Sequence, residues 1–144
     1  MNSLKGSRNL DMKTGGSGKI LVDTSAWIAY LRKKEPHYSQ VTDLIEQDRV
    51  ACCGLVLAEL MQGAKTEKEL AGLQNFTQVF EFRQEPTGMW GAAGELSFRL
   101  RRSGKTPSLS DCYIAVLAQY HNYSILTLDK HFKEITKDLK LDLH

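Results

Sequence analysis

The sequence predicts an α/β domain of three layers, α/β/α, around a central parallel sheet of four to five strands. Three observations predict it. Short apolar runs, such as Ile20-Leu21-Val22 and Val50-Ala51-Cys52-Cys53, alternate with longer stretches that carry apolar residues at helical spacing. These runs are apolar at consecutive positions, as in strands buried on both faces. Two of them end on an acid: Ile20-Leu21-Val22 runs into Asp23, and Ser124-Ile125-Leu126-Thr127-Leu128 runs into Asp129. Strands separated by helices imply parallel pairing with right-handed crossovers. In such folds ligands bind outside the carboxyl ends of the strands, so two aspartates at that edge point to a metal site.

The elements follow in order. Residues 19–22 form the first strand and 26–33 the first helix, with Ser25 placed to cap it. Glu35-Pro36 interrupts the chain. Residues 38–47 form a second helix with Val41, Leu44 and Ile45 inward, and 50–53 the second strand. Residues 55–62 are helical up to Gly63. A helix over 66–76 has Glu67 and Glu69 in its first turn, where acids favour the dipole, and Leu70 and Leu73 inward. Residues 79–82 form the third strand, 86–103 a long helix ending at Gly104, and 106–110 a loop. An apolar helix over 111–120 has Ser108 or Ser110 as its cap. Residues 123–127 form the fourth strand, 131–136 a short helix, and 139–143 a fifth strand at the edge.

Length and composition bound the function. A chain of 144 residues builds one domain with a real core. Its apolar share of 42% and charged share of 25% are those of an ordinary globular protein. No apolar run approaches the roughly 20 residues that span a bilayer, and the N-terminus lacks the apolar core of a signal peptide. Three cysteines, two of them adjacent (Cys52, Cys53), make no disulfide framework. They read as small core residues, and a reducing cytosol is the expected compartment. Residues 1–18, with the flexible Gly15-Gly16-Ser17-Gly18, read as a disordered leader or expression remnant, leaving 19–144 as the domain. That leader carries Lys5, Arg8 and Lys13 against Asp11, which accounts for the whole formal charge of +2. The domain itself is neutral, so any nucleic-acid surface must be local.

Four acids stand out: Asp23 and Asp129 at strand ends, Asp111 opening a helix, and Glu59 inside the apolar Leu55-Val56-Leu57-Ala58-Glu59-Leu60-Met61. A hard divalent cation such as Mg²⁺ takes oxygen ligands in octahedral geometry and keeps several waters. Four carboxylates suit one ion, or two spaced for in-line displacement at phosphorus. Each acid also has an ordinary role open to it: a cap or dipole partner for Asp111, a polar stripe for Glu59, a turn for Asp129.

Here the residues resemble a known family. Ile20-Leu21-Val22-Asp23-Thr24-Ser25-Ala26-Trp27-Ile28 resembles the opening of PIN-domain proteins, most of all the VapC-type ribonuclease toxins of bacterial and archaeal toxin–antitoxin pairs. Leu57-Ala58-Glu59-Leu60-Met61-Gln62-Gly63 resembles their second motif, a helix carrying a Glu. Leu109-Ser110-Asp111-Cys112-Tyr113-Ile114-Ala115 resembles the third, and Ile125-Leu126-Thr127-Leu128-Asp129-Lys130-His131-Phe132 the fourth. The likeness runs in order over residues 19–143, with Cys112 where the family usually has a small residue.

The resemblance implies a PIN-like fold and a Mg²⁺- or Mn²⁺-dependent endoribonuclease. Asp23 and Asp111 would be the principal metal ligands, with Glu59 and Asp129 completing the acidic cluster. Thr127, Thr24 and Ser25 would hydrogen-bond a metal water or orient an acid, although capping explains Ser25 equally well. Water would attack the phosphodiester, leaving a 5′-phosphate and a 3′-hydroxyl. His37, His121 and His131 lie outside the motif positions and read as surface or packing residues. The resemblance further implies a homodimer and a cognate antitoxin, for which Trp27, Tyr30, Leu31, Leu60 and Met61 are docking positions, or equally core. Arg99, Arg101, Arg102 and Lys105 would contact RNA phosphates, with Arg32, Lys33 and Lys34 a second basic patch; both sets equally suit solvated helix ends.

Other classes fit less well. A phosphoacceptor receiver domain needs paired acids after its first strand, and a haloacid-type phosphatase needs Asp-x-Asp; Asp23 is followed by Thr24-Ser25. A non-catalytic PIN-like binding module and a DNA-directed nuclease share the fold and remain alternatives.

Overall fold

A computed structural model describes residues 18–144; the expected leader, apart from Gly18, lies outside the described residues. Four strands form one parallel sheet in the order β3-β2-β1-β4: β1 (Ile20–Val22), β2 (Val50–Cys52), β3 (Glu81–Phe82) and β4 (Ser124–Leu126). Eight described helices connect and cover them: α1 (Thr24–Leu31), α2 (His37–Glu46), α3 (Gly54–Gln62), α4 (Glu67–Gln74), α5 (Phe76–Val79), α6 (Met89–Arg102), α7 (Leu109–His121) and α8 (His131–Ile135). β1 is central and fully buried. From it the chain steps outward one way to β2 and β3, then returns to lay β4 on the other side. The carboxyl ends of β1 and β4 therefore flank the point where strand order reverses, the place where open sheets leave a crevice.

The core is continuous across the sheet. Ile20, Leu21, Val22, Val50, Ala51 and Ile125 pack against Trp27, Val41, Leu44 and Val56, and against the apolar face of α7. Helix α7 is buried from Asp111 to Ala118. All three cysteines are free and buried, as the sequence predicts. Burial pushes the Cys52 thiol up to about 12 and the Cys53 thiol up to about 11, so neither is a nucleophile near neutral pH. No described helix is long and apolar enough to cross a membrane.

Several expectations are corrected. The third strand was expected over 79–82, but Phe76–Val79 is a helical turn and β3 shrinks to Glu81–Phe82. Helical spacing brings the Phe76 and Phe80 rings to 5.1 Å of each other, and both lie on Trp27, at 4.9 and 5.3 Å. The long helix starts at Met89 rather than 86, because Gly88 adopts φ +93, a left-handed conformation no helix interior accepts. The fifth strand is a single bridge, Ile125 to Leu143, which covers the outer edge of β4. Ser25 is not the cap of α1; Asp23 holds that position. Of the docking positions, Trp27 and Leu60 belong to the core, and Tyr30 stacks on Tyr38 at 5.3 Å. Leu31 stays half exposed, at 49%.

Trp27 is 0% exposed and joins α1 to the α5 turn through tilted ring contacts with Phe76 and Phe80. Trp27→Ala therefore lowers stability by about 3–5 kcal/mol, as for other buried aromatics; urea unfolding measures it. A loss under about 1 kcal/mol would mean that this cluster does not anchor α1.

Candidate active site

Asp23 leaves β1 with its backbone N–H still donating to the carbonyl of Leu126, 2.9 Å away on β4. It is then the residue before α1, yet its carboxylate makes no cap bond into the helix. Instead Oδ2 accepts from Thr127 Oγ1 at 2.7 Å and from Ser25 Oγ at 3.1 Å. Ser25 in turn accepts from the backbone of Leu128 at 2.9 Å, and Thr127 accepts from the backbone of Asp129, also at 2.9 Å. The two hydroxyls thus stitch the exit of β1 to the exit of β4. Two donors thus fix Oδ2 and with it the orientation of the carboxylate.

The other acids arrive on helices. Glu59 lies in the second turn of α3, and Thr24, the residue after Asp23, donates to its Oε1 at 2.5 Å. Asp111 lies in the first turn of α7 in a reciprocal cap with Ser108: its backbone donates to Ser108 Oγ at 3.0 Å, and its Oδ2 accepts from the Ser108 backbone at 3.3 Å. The capping role and a place in the cluster therefore coexist at Asp111. Asp129 accepts from the backbone N–H of His131 at 2.9 Å, which starts α8.

The four acids share one electrostatic environment. Asp23 is 5% exposed and its carboxyl is raised above the usual range, first by burial and further by the charge of Glu59, against the pull of Thr127, Thr24 and Ser25. Asp111 is 8% exposed and is pushed up to about 6, first by burial, then by the charge of Asp129 and, more weakly, of Asp23. Buried like charges raise one another in this way when no cation is present.

His131 has neighbours that the sequence reading did not foresee. His131 was expected to be a surface or packing residue, yet its Nδ1 lies 3.4 Å from Asp129 Oδ1 and 3.9 Å from Asp111 Oδ2. One ligand atom from each of Asp111, Asp129 and His131 falls within 4.8 Å of the others. Adjacent ligands of an octahedral ion bound at about 2.1 Å stand roughly 3 Å apart and opposite ones about 4 Å apart, so these donors fit a shared divalent ion. The available signal was the Asp-x-His spacing, which lets an aspartate accept from the backbone two residues on and so fixes the following side chain beside it.

The expected RNA-contacting residues are less uniform than their sequence clustering suggests. Arg99 pairs with Glu95 at 2.5 Å and Lys105 with Asp138 at 2.9 Å. The Arg102 guanidinium lies 5.4 Å from the Phe98 ring centre. Burial, then the charge of Asp111, raises the Cys112 thiol, and Arg101 opposes this weakly, which places Arg101 within electrostatic range of the start of α7. Arg32, Lys33 and Lys34 are exposed where α1 ends.

The raised pKa values set a pH dependence. In the unfolded chain Asp111 releases its proton near pH 4, but in the fold only near pH 6. Between those values the folded state binds more protons, so the metal-free fold loses stability as pH rises, and the full penalty remains above about pH 6. Asp23 acts with the same sign. Asp111→Asn removes one of the repelling charges. In EDTA it is expected to match the parent near pH 4 and to be more stable by on the order of 1 kcal/mol at pH 8, read from thermal unfolding. A variant less stable than the parent at pH 8 would mean that the acids do not repel.

Comparison with known proteins gives the family. The PIN-domain family model matches residues 20–138. A VapC ribonuclease of Mycobacterium bovis is 32% identical over 131 residues, covering 82% of this chain and 92% of its own, and ribonuclease VapC11 of Mycobacterium tuberculosis matches equally. Among solved structures, VapBC2 of Rickettsia felis bound to promoter DNA gives a TM-score of 0.69 at 25% identity, over 87% of this chain and 96% of that one. DNA-bound VapBC of Salmonella typhimurium has the same fold, with a TM-score of 0.70 at 22% identity, over 88% and 96%. The chain belongs to the PIN-domain family.

Proposed function

We propose that the protein is a divalent-metal-dependent endoribonuclease, a VapC-like toxin that hydrolyses RNA phosphodiester bonds and is neutralised by a cognate antitoxin protein. The electrostatic coupling of Asp23 with Glu59 and of Asp111 with Asp129 and Asp23, at the exits of β1 and β4, supports this reading. The ribonuclease names of the relatives support RNA as substrate, and the VapBC structures support a protein partner. A homodimer acting in the cytoplasm fits the same reading.

Mg²⁺ or Mn²⁺ would be held chiefly by Asp23 and Asp111, with Glu59 and Asp129 completing the cluster. A bound ion would supply activation of the attacking water and a counter-charge for the phosphate. The chain's own residues do the positioning. Thr127 and Ser25 hold one oxygen of Asp23 and so orient its carboxylate. Thr24 holds Glu59, and Ser108 fixes Asp111 at the head of a buried helix. Phosphates flanking the scissile bond would meet Arg101 and Arg102 more readily than Arg99 and Lys105, whose charges are already paired. No side-chain nucleophile is needed.

A structured RNA pool incubated with the pure protein tests this. Cleavage is expected with Mn²⁺ or Mg²⁺, none in EDTA, and Asp111→Asn reduces it by at least about 100-fold, the upper end of what losing even an outer partner of a metal does. Equal cleavage by Asp111→Asn and parent would move the chemistry to another site.

A further inference from the structure

We propose that His131 is a nitrogen ligand of the divalent ion held by Asp111 and Asp129, and that it tilts the centre toward Mn²⁺ over Mg²⁺. This rests on the metal-dependent reading above and goes beyond it, since an all-carboxylate centre has no such tilt.

The geometry is specific to this ring. Asp129 Oδ1 accepts from the His131 backbone at 2.9 Å and lies 3.4 Å from the same residue's Nδ1. The turn therefore brings Nδ1, rather than only the backbone, up to the acids. Asp111 Oδ2 approaches the same nitrogen from α7 at 3.9 Å. Two different elements thus converge on one imidazole nitrogen. The ring is rimmed by solvent, its side chain 46% exposed, against 34% for Asp129 and 11% for Asp111.

Chemistry decides what that nitrogen does. Mg²⁺ binds oxygen, dehydrates reluctantly and gains little from imidazole. Among first-row transition ions imidazole suits Fe, Ni, Cu and Zn best and Mn²⁺ least, yet Mn²⁺, as a transition ion, takes a nitrogen ligand more readily than Mg²⁺ does. A centre of carboxylates plus one imidazole therefore binds Mn²⁺ through one more protein atom than it offers Mg²⁺.

Electron spin-echo envelope modulation of Mn²⁺ bound to the full chain tests this without reference to cleavage. The parent is expected to show modulation from a directly bound ¹⁴N. That signal becomes a ¹⁵N signal in protein grown with ¹⁵N-labelled histidine, and it disappears in His131→Leu. By calorimetry, His131→Leu is expected to weaken Mn²⁺ binding about 10-fold, the scale on which partners of a metal act, and Mg²⁺ binding less than about 2-fold. The labelled parent gives the answer even if the variant folds poorly. Mn²⁺ that binds, is lost in Asp111→Asn and shows no histidine nitrogen would overturn the role of His131 and leave the acidic centre intact. Failure of the parent to bind Mn²⁺ at all would instead remove the metal reading on which the role depends.

Discussion

The hydrogen bond from Thr127 to Asp23 joins the exits of two neighbouring strands, and the rest of the site depends on it. β1 and β4 pair side by side although about a hundred residues separate them in the chain. Each delivers one polar residue at the same level, just past the last ladder bond. The bond satisfies one oxygen of a carboxylate that burial would otherwise drive toward the neutral form. It also orders the following turn, since the same hydroxyl accepts from the Asp129 backbone. Asp129 in turn starts α8 and fixes His131 beside it. A sequence of short local bonds thus runs from the centre of the sheet to the rim of the site.

The opposing constraint is repulsion. Asp23, Glu59, Asp111 and Asp129 are brought within electrostatic range by four different elements; burial first, then the charges of Glu59 and Asp129, raise the carboxyls of Asp23 and Asp111 respectively. Such an arrangement is unfavourable for the fold alone. The apolar core around Trp27, α7 and the central strands offsets it, as active sites commonly trade stability for function. A divalent ion would convert the same charges from a burden into a set of ligands.

Much of this was legible in the sequence because strong local signals carried it. Consecutive apolar residues marked Ile20–Val22 as a strand buried on both faces, and the acid that follows marked its functional end. Ser108 or Ser110 read as the cap of a helix opening at Asp111, and the structure has Ser108 as the cap, with both halves of the reciprocal pair. What was missed depended on contacts between distant residues. Val79 carries a strand-forming side chain, yet the pull of Phe76 and Phe80 onto Trp27 winds that segment into a turn of helix. Trp27 looked equally suited to a partner and to the core, since helical spacing does not say what lies opposite. Ser25 had the right identity for a cap, but the strand exit from β4 claimed its hydroxyl. His131 escaped notice because its significance lies in Asp111, twenty residues away in sequence and reached only through the packing of α7 against α8.

The central claim is that the acids form one cation-binding centre, and the melting temperature tests it most directly. A ligand that binds only the folded state at about 100 times its Kd adds about 2.7 kcal/mol, roughly 5–10 °C for a domain of this size. The account predicts a rise of that order when Mn²⁺ replaces EDTA, and a much smaller rise in Asp111→Asn. A melting temperature that Mn²⁺ leaves unchanged in the parent would contradict it.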